Sequence, residues 1–256
     1  MQRVLVLSLF SALVLFLGAS VALVSAALHE GLISHYEFEG DGDVLGDSVG
    51  DNDGNLGSAV REDDGRFGKA IRFTDNTGSA SVPGSESLTF TGSFAITAWI
   101  RPDELGMGGE WPQFENRLIF SDQFNLDVLH GRGRFEVKNT SDAPPWVGTP
   151  WKDEPLALGE WHLIVGTYNA DENMISHYVN GNLDGTAQPE GVAVAQSPIR
   201  FGHMGIQCMV GSLDDVRFYG RAFSAEDVMS LLEYPTSVSP EGSLVVTWGS
   251  LKSARE

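Results

Sequence analysis

Trp161-His162-Leu163-Ile164-Val165-Gly166-Thr167-Tyr168, followed by Ile175-Ser176-His177-Tyr178-Val179 and then Asn180-Gly181, is the stretch on which the fold turns. The first segment is apolar on both alternating faces, the mark of a strand covered on both sides. Asn180-Gly181 tolerates positive φ at two successive positions, which a two-residue hairpin turn demands. Working outward, Phe94-Ala95-Ile96-Thr97-Ala98-Trp99-Ile100 is a second two-faced strand, and Leu32, Ser34, Tyr36 and Phe38 alternate with Ile33, His35 and Glu37. Further strands are expected at Ala70 to Phe73, Ser79 to Val82, Arg117 to Phe120, Arg134 to Lys138, Ile199 to Phe201 and Ser212 to Tyr219. Short strands at regular spacing predict two packed antiparallel sheets. The 30 glycines in 256 residues agree with many tight turns.

One helix is written near the end. Ser224 stands at an N-cap with Asp227 in the capping-box position, Phe223 faces Val228 as a hydrophobic staple, and Val228, Leu231 and Leu232 form one apolar stripe before Pro235. The sequence therefore predicts an all-β sandwich with one short C-terminal helix. Residues 27–235 form the domain and 236–256 a tail without an assigned role.

The chain is 42% hydrophobic and 20% charged, enough to build a core and too apolar for disorder. Its formal charge of −19 repels nucleic acid and anionic lipid surfaces. Residues 1–26 carry one early cation, Arg3, an apolar run from Val4 to Leu17, and small residues ending Val24-Ser25-Ala26. That pattern is a signal peptide cleaved near Ala26, the alternative being an uncleaved membrane anchor. Either places the domain outside the cytoplasm, secreted or at the cell surface. Cys208 then stands alone and is expected as a small buried residue.

The segment Gly211-Ser212-Leu213-Asp214-Asp215-Val216-Arg217-Phe218-Tyr219-Gly220-Arg221-Ala222-Phe223-Ser224 resembles the closing motif of laminin-G-like domains in the concanavalin A-like lectin/glucanase superfamily. Three earlier pieces fall in the same order: Tyr36-Glu37-Phe38-Glu39 with Asp47-Ser48 to Asn52-Asp53-Gly54, Phe94 to Pro102, and Gly159-Glu160-Trp161-His162 leading to Tyr178-Val179-Asn180-Gly181. The resemblance implies a two-sheet antiparallel jelly roll, found in extracellular binding or adhesion modules and in accessory domains of carbohydrate enzymes. In similar domains a calcium ion often ties the N-terminal loop to the acidic pair of the closing strand. Carried onto this sequence, that implies calcium at Glu39, Gly40, Asp47 and Asp214, with solvated turns capped by Asp47 and Asn52 as the alternative.

Catalysis finds no support in the motifs. Glucanases of this fold carry Glu-x-Asp-x-x-Glu on a strand, whereas here Glu39-x-Asp41 and Glu62-x-Asp64 run into Val44 and Phe67. The six histidines show no zinc spacing, and no glycine-rich loop opens a helix to hold phosphate. Two long connections, 103–116 and 139–155, carry Trp111, Trp146 and Trp151. An indole stacks on the C–H face of a sugar while neighbouring carboxylates and amides take its hydroxyls, so these three are the candidate ligand-binding residues. Packing of the same indoles as a local core is the alternative. The sequence thus points to an exported, non-catalytic module for glycan or an extracellular protein, carbohydrate-binding or adhesive, with a structural or protein-interaction domain as the second reading.

Overall fold

The computed structural model describes residues 28–75, 78–104, 115–129, 131–141, 144–150, 154–202 and 210–233. In chain order the strands are β1 (Leu32–Tyr36), β2 (Val44–Leu45), β3 (Gly54–Asn55), β4 (Val60–Glu62), β5 (Ala70–Phe73), β6 (Ser79–Val82), β7 (Phe94–Pro102) and β8 (Glu115–Phe120). They continue with β9 (Phe124–Leu129), β10 (Arg132–Lys138), β11 (Trp146–Gly148), β12 (His162–Asn169), β13 (Met174–Val179), β14 (Asn182–Ala187), β15 (Ile199–Gly202) and β16 (Gly211–Tyr219). One sheet runs β14-β13-β12-β7-β16-β5-β4 with β1 against β16; the other runs β11-β10-β9-β8-β15-β6-β3-β2. We call them the back and front sheets.

Period-two alternation explains how they pack. Ile96, Ala98, Ile100, Ile164, Val216 and Phe218 of the back sheet and Phe124, Leu126, Val128, Phe135, Val137 and Phe201 of the front sheet meet in one buried core. Phe94 stacks on Phe90 at 4.6 Å and touches Phe124 and Phe135 across the gap, so aromatic rings tie the sheets together. Gly166 sits where an added Cβ would meet the Phe135 ring at 2.3 Å, which is why this central strand position carries no side chain.

The hairpin forms as its sequence demands. Asn180 and Gly181 adopt φ of 47° and 83°, and Val179 pairs with Asn182. The two-faced segments β7 and β12 lie inside the back sheet, buried along almost their whole length. Their outer face is covered by a second apolar cluster in which Ala95, Trp99, Leu163, Val165 and Tyr219 meet Leu28 and Phe223, Val228 and Leu231 from the chain end. Val228 and Leu231 belong to helix α1 (Ala225–Glu233). Its start is capped as read from sequence: Asp227 N–H donates to Ser224 Oγ at 3.2 Å and Ser224 N–H to Asp227 Oδ2 at 2.8 Å. Although burial pushes the Asp227 carboxyl upward, bonds from Arg221 and Ser224 hold it below the usual carboxylate range.

Two local departures follow from backbone geometry. The alternation expected to run through Phe38 ends at Tyr36, because Phe38 turns to φ 58° and starts the following loop. Asp215 takes φ 51° and makes a bulge in β16, so that Asp214 and Arg217, three positions apart, stand opposite Trp99 and Thr97 on the same outer face. Residues 1–27, Cys208 and the tail lie outside the described residues.

Candidate functional site

Phe124-Asn125-Leu126-Asp127-Val128 and Arg134-Phe135-Glu136-Val137-Lys138 alternate apolar and polar residues, and their apolar members fill the core. The polar members therefore point away from the core, onto the outer face of the front sheet. Register places Asn125 beside Glu136 and Asp127 beside Arg134, with Phe120 beside Asn125 on one side and Gly148 beside Glu136 on the other. Arg134 Nη2 lies 2.6 Å from Glu136 Oε1, and Asn125 Nδ2 donates to Glu136 Oε2 at 3.3 Å. Asn125, Asp127 and Glu136 are only 4%, 2% and 7% exposed. They lie beneath that face, with Arg132 and Arg134 half-buried and Lys138 and Arg200 exposed, and with Arg117 in register with Asp127. An added Cβ at Gly148 would come within 2.5 Å of Arg134 Nη2, so the missing side chain makes room for the guanidinium.

Trp146 joins this face. It pairs with Lys138 at the start of β11, while its neighbour Val147 packs inward against the core. The half-buried indole is thus carried on an edge strand next to the polar group and not on an irregular loop as the sequence suggested. Trp111 and Trp151 lie outside the described residues. The polar cluster itself escaped the sequence reading. Its signal was the alternation Phe124-Asn125-Leu126-Asp127-Val128, and the carboxylates Asp127 and Glu136 sit on neighbouring strands where a single-strand motif search does not look.

The residues expected to hold calcium divide. Glu39 and Asp214 converge on one turn: Glu39 Oε1 accepts from Lys69 N–H at 2.9 Å and Asp214 Oδ2 from Phe67 N–H at 2.9 Å. Asp214 is 1% exposed; burial first, then the charges of Asp215 and Glu39, pushes its carboxyl up to about 8 against the opposing pull of N–H bonds from Phe67 and Asp215. Asp47 does other work. Its oxygens accept from the N–H groups of His35, Val49 and Asn52 and from Asn52 Nδ2, and these bonds hold its carboxyl low although burial pushes it upward. The carbonyls of Phe38, Gly42 and Val44, around Gly40, receive the guanidinium of Arg61. Among the described residues no three His, Cys, Asp or Glu side chains are grouped to hold a metal, so Glu39, Gly40, Asp47 and Asp214 do not form one four-member set. Asp47 stands apart because its bonds go to His35, Val49 and Asn52 and none joins it to the Glu39–Asp214 turn. The pair that remains brings two carboxylates to one turn, the donor type a hard cation takes, with backbone N–H groups also bonded to Glu39 Oε1 and to both oxygens of Asp214.

Comparison with known proteins decides the family. The sequence model described as the concanavalin A-like lectin/glucanases superfamily matches residues 74–229, more than half of the chain. The chain belongs to this superfamily. Among solved structures, this concanavalin A-like domain is similar to the binding domain of Paraclostridial Mosquitocidal Protein 1, with TM-score 0.62, 20% identity, and coverage of 80% of this chain and 52% of that one. Domain 4 of AbnA, a GH43 extracellular arabinanase from Geobacillus stearothermophilus solved with arabinotriose, gives TM-score 0.62, 18% identity, and coverage of 79% and 98%. Trypanosoma rangeli sialidase gives TM-score 0.58 and 17% identity over 79% of this chain and 32% of that one. The chain thus spans about half of the toxin domain and a third of the sialidase, and at these identities the likeness is one of fold. No curated protein sequence matches it. The concanavalin A-like frame leaves two outer faces: one is covered by apolar side chains and the other carries buried polar ones.

Proposed function

We propose that the protein is a non-catalytic carbohydrate-binding module that takes its ligand on the outer face of the front sheet. The observation that carries this reading is the contrast between the two outer faces. The back is sealed by α1 and Leu28, whereas the front presents the half-buried Trp146 indole with the half-buried Arg132 and Arg134 and the exposed Lys138 and Arg200, above the buried Asn125, Asp127 and Glu136. A sugar presents hydroxyls that donate and accept together with an apolar ring face, and that set answers both. Mutual bonding of Arg134, Glu136 and Asn125 holds the polar groups before any ligand arrives, which reduces the ordering cost of binding. The arabinotriose complex of the similar arabinanase domain supports a sugar ligand for this frame. Trp111 and Trp151 belong to the same proposal as further stacking partners. Export through residues 1–26, and work as a secreted or surface-held protein, also belong to it; among the described residues no helix is long and apolar enough to cross a membrane.

Probing a glycan array with the intact protein and the Trp146→Ala variant tests the reading. The intact protein is expected to bind at least one glycan, and the variant to lose about tenfold or more in affinity while keeping its melting temperature within a few degrees. Binding of an extracellular protein with no glycan recognised would instead favour the interaction-domain reading.

Calcium is proposed only as a structural tie at Glu39 and Asp214, supported by the buried carboxylate that is held largely protonated in its absence. When bound it would supply positive charge there and take no part in sugar recognition. Its test is the melting temperature at about pH 8 in millimolar calcium against chelator, where an ion bound only by the native state raises stability by mass action. Coincident curves would remove calcium from the description.

A further inference from the structure

We propose that the chain end packs back onto its own domain, the segment Leu244-Val245-Val246-Thr247-Trp248 covering an apolar rim beside the back sheet. The rim continues the cluster behind that sheet. On α1, Val228 and Leu231 are buried in the cluster, whereas Met229 of the same helix is 41% exposed. On β14, Leu183 stands in register with Tyr178, a buried member of the cluster, and is itself 48% exposed. Paired residues of neighbouring strands share a face, so Leu183 and α1 lie on the same side of the sheet. The hairpin turn links them: a Cβ added at Gly181 would come within 2.6 Å of Met229 Sδ and 3.3 Å of Leu232 Cδ2. The helix is thus seated on the turn from which β14 begins, and two large apolar side chains are left at the edge of the cluster.

The chain beyond α1 fits this rim in reach and in composition. The helix ends at Glu233, one turn past Met229, and residues 234–256 follow. Ten residues, 234–243, lead to Leu244 and can span up to about 35 Å, against roughly 6 Å of helix between Met229 and its end. Leu244, Val246 and Trp248 alternate, so an extended segment presents all three to one surface. An indole against the Met229 thioether is a favourable contact between sulfur and an aromatic ring. A second copy of the chain or a soluble partner is a poorer occupant. Two side chains make a patch far smaller than the roughly 800 Å² per partner of a stable association. A tethered segment needs less, because it meets the rim at an effective concentration in the millimolar range. The packing lies behind the back sheet and is independent of any ligand on the front face.

Peroxide oxidation of Met229 in the full chain, mapped by mass spectrometry, reads this packing. Replacing the alternate residues together, Leu244→Ser, Val246→Ser and Trp248→Ser, is expected to speed Met229 oxidation at least about fivefold. Met174, at the far end of β13 from the hairpin turn, serves as the internal reference and is expected to keep its rate. Equal Met229 rates in the two proteins would overturn the proposal. Disulfide trapping is the second measurement, with Leu183→Cys combined in turn with Leu244→Cys, Val246→Cys and Trp248→Cys. At least one pair is expected to bridge within a single chain about tenfold faster than when Val44→Cys, exposed on β2 of the front sheet, takes the place of Leu183→Cys. Peptide mapping separates these bridges from any that involve Cys208. Bridges formed only between two chains would assign the rim to contact between copies and overturn the proposal, as would equal rates from positions 183 and 44.

Discussion

Raising the pH in the presence of chelator is expected to weaken the fold through Asp214. Its carboxyl has an ordinary value of 3.8 in the unfolded chain and is pushed up to about 8 in the native one, first by burial and then by Asp215 and Glu39. Between those values the native protein holds a proton that the unfolded chain has released. Unfolding therefore releases a proton, and stability falls as pH rises through this window and levels off above it. The slope from this one group is about 1.4 kcal/mol per pH unit, and across the window its sum is on the order of 5 kcal/mol, comparable with the whole stability of many domains. Denaturant titrations at about pH 5, 6, 7 and 8 on the intact protein and on Asp214→Asn read it out. Asparagine fills the same volume but does not ionise, and it sets an amide N–H₂ against one of the two backbone N–H groups that Asp214 now accepts from. The variant is therefore less stable overall and its pH slope is shallower by the Asp214 contribution. Titrating groups remote from Asp214 cancel in the difference, whereas Asp215 and Glu39, whose charges act on it, change with it. Parallel pH profiles for the two proteins would refute the reasoning.

Other expectations concern packing and capping. Trp146→Ala on the half-buried edge strand β11 is expected to cost about 1 kcal/mol or less in denaturant unfolding, in contrast to the roughly 3–5 kcal/mol typical of a core tryptophan. Gly166→Ala forces a methyl into the Phe135 ring and is expected to destabilise by roughly 1–3 kcal/mol, visible as a lowered denaturation midpoint with unchanged slope. Ser224→Ala removes the acceptor for Asp227 N–H and is expected to cost about 1 kcal/mol, read by thermal melting.

Most of the frame was legible because its signals are local. The Asn180-Gly181 turn, the Ser224 cap and the alternation of β7 and β12 depend on neighbours in sequence, and each formed where its residues indicated. Strands β2, β3, β4, β9, β11 and β14 were not among those expected: β9 alternates as cleanly as β1, but β2, β3, β4 and β11 are only two or three residues long and β14 is too polar to show a period. The candidate site was harder to read for a different reason. Asp127 and Glu136 become neighbours through the β9–β10 register, a pairing that no spacing along the chain announces. Asp47 carried two readings in the sequence, calcium ligand or turn cap, and in the fold its oxygens accept the N–H groups of His35, Val49 and Asn52. Only the folded arrangement distinguishes an acceptor satisfied by its own loop from one offered outward.

The apolar cluster behind the back sheet also settles how the molecule can be displayed. Leu28 from one end of the described chain and α1 from the other are seated together on that outer face. A support that held the domain directly at Leu28 or at the end of α1 would stand behind the back sheet. The front face, with Trp146 and the polar group, would then look outward from the support, palm forward. Attachment close to Leu28 or to the end of α1 should accordingly leave the front face accessible, whereas random coupling through exposed lysines, among them Lys138, would turn part of the population face down.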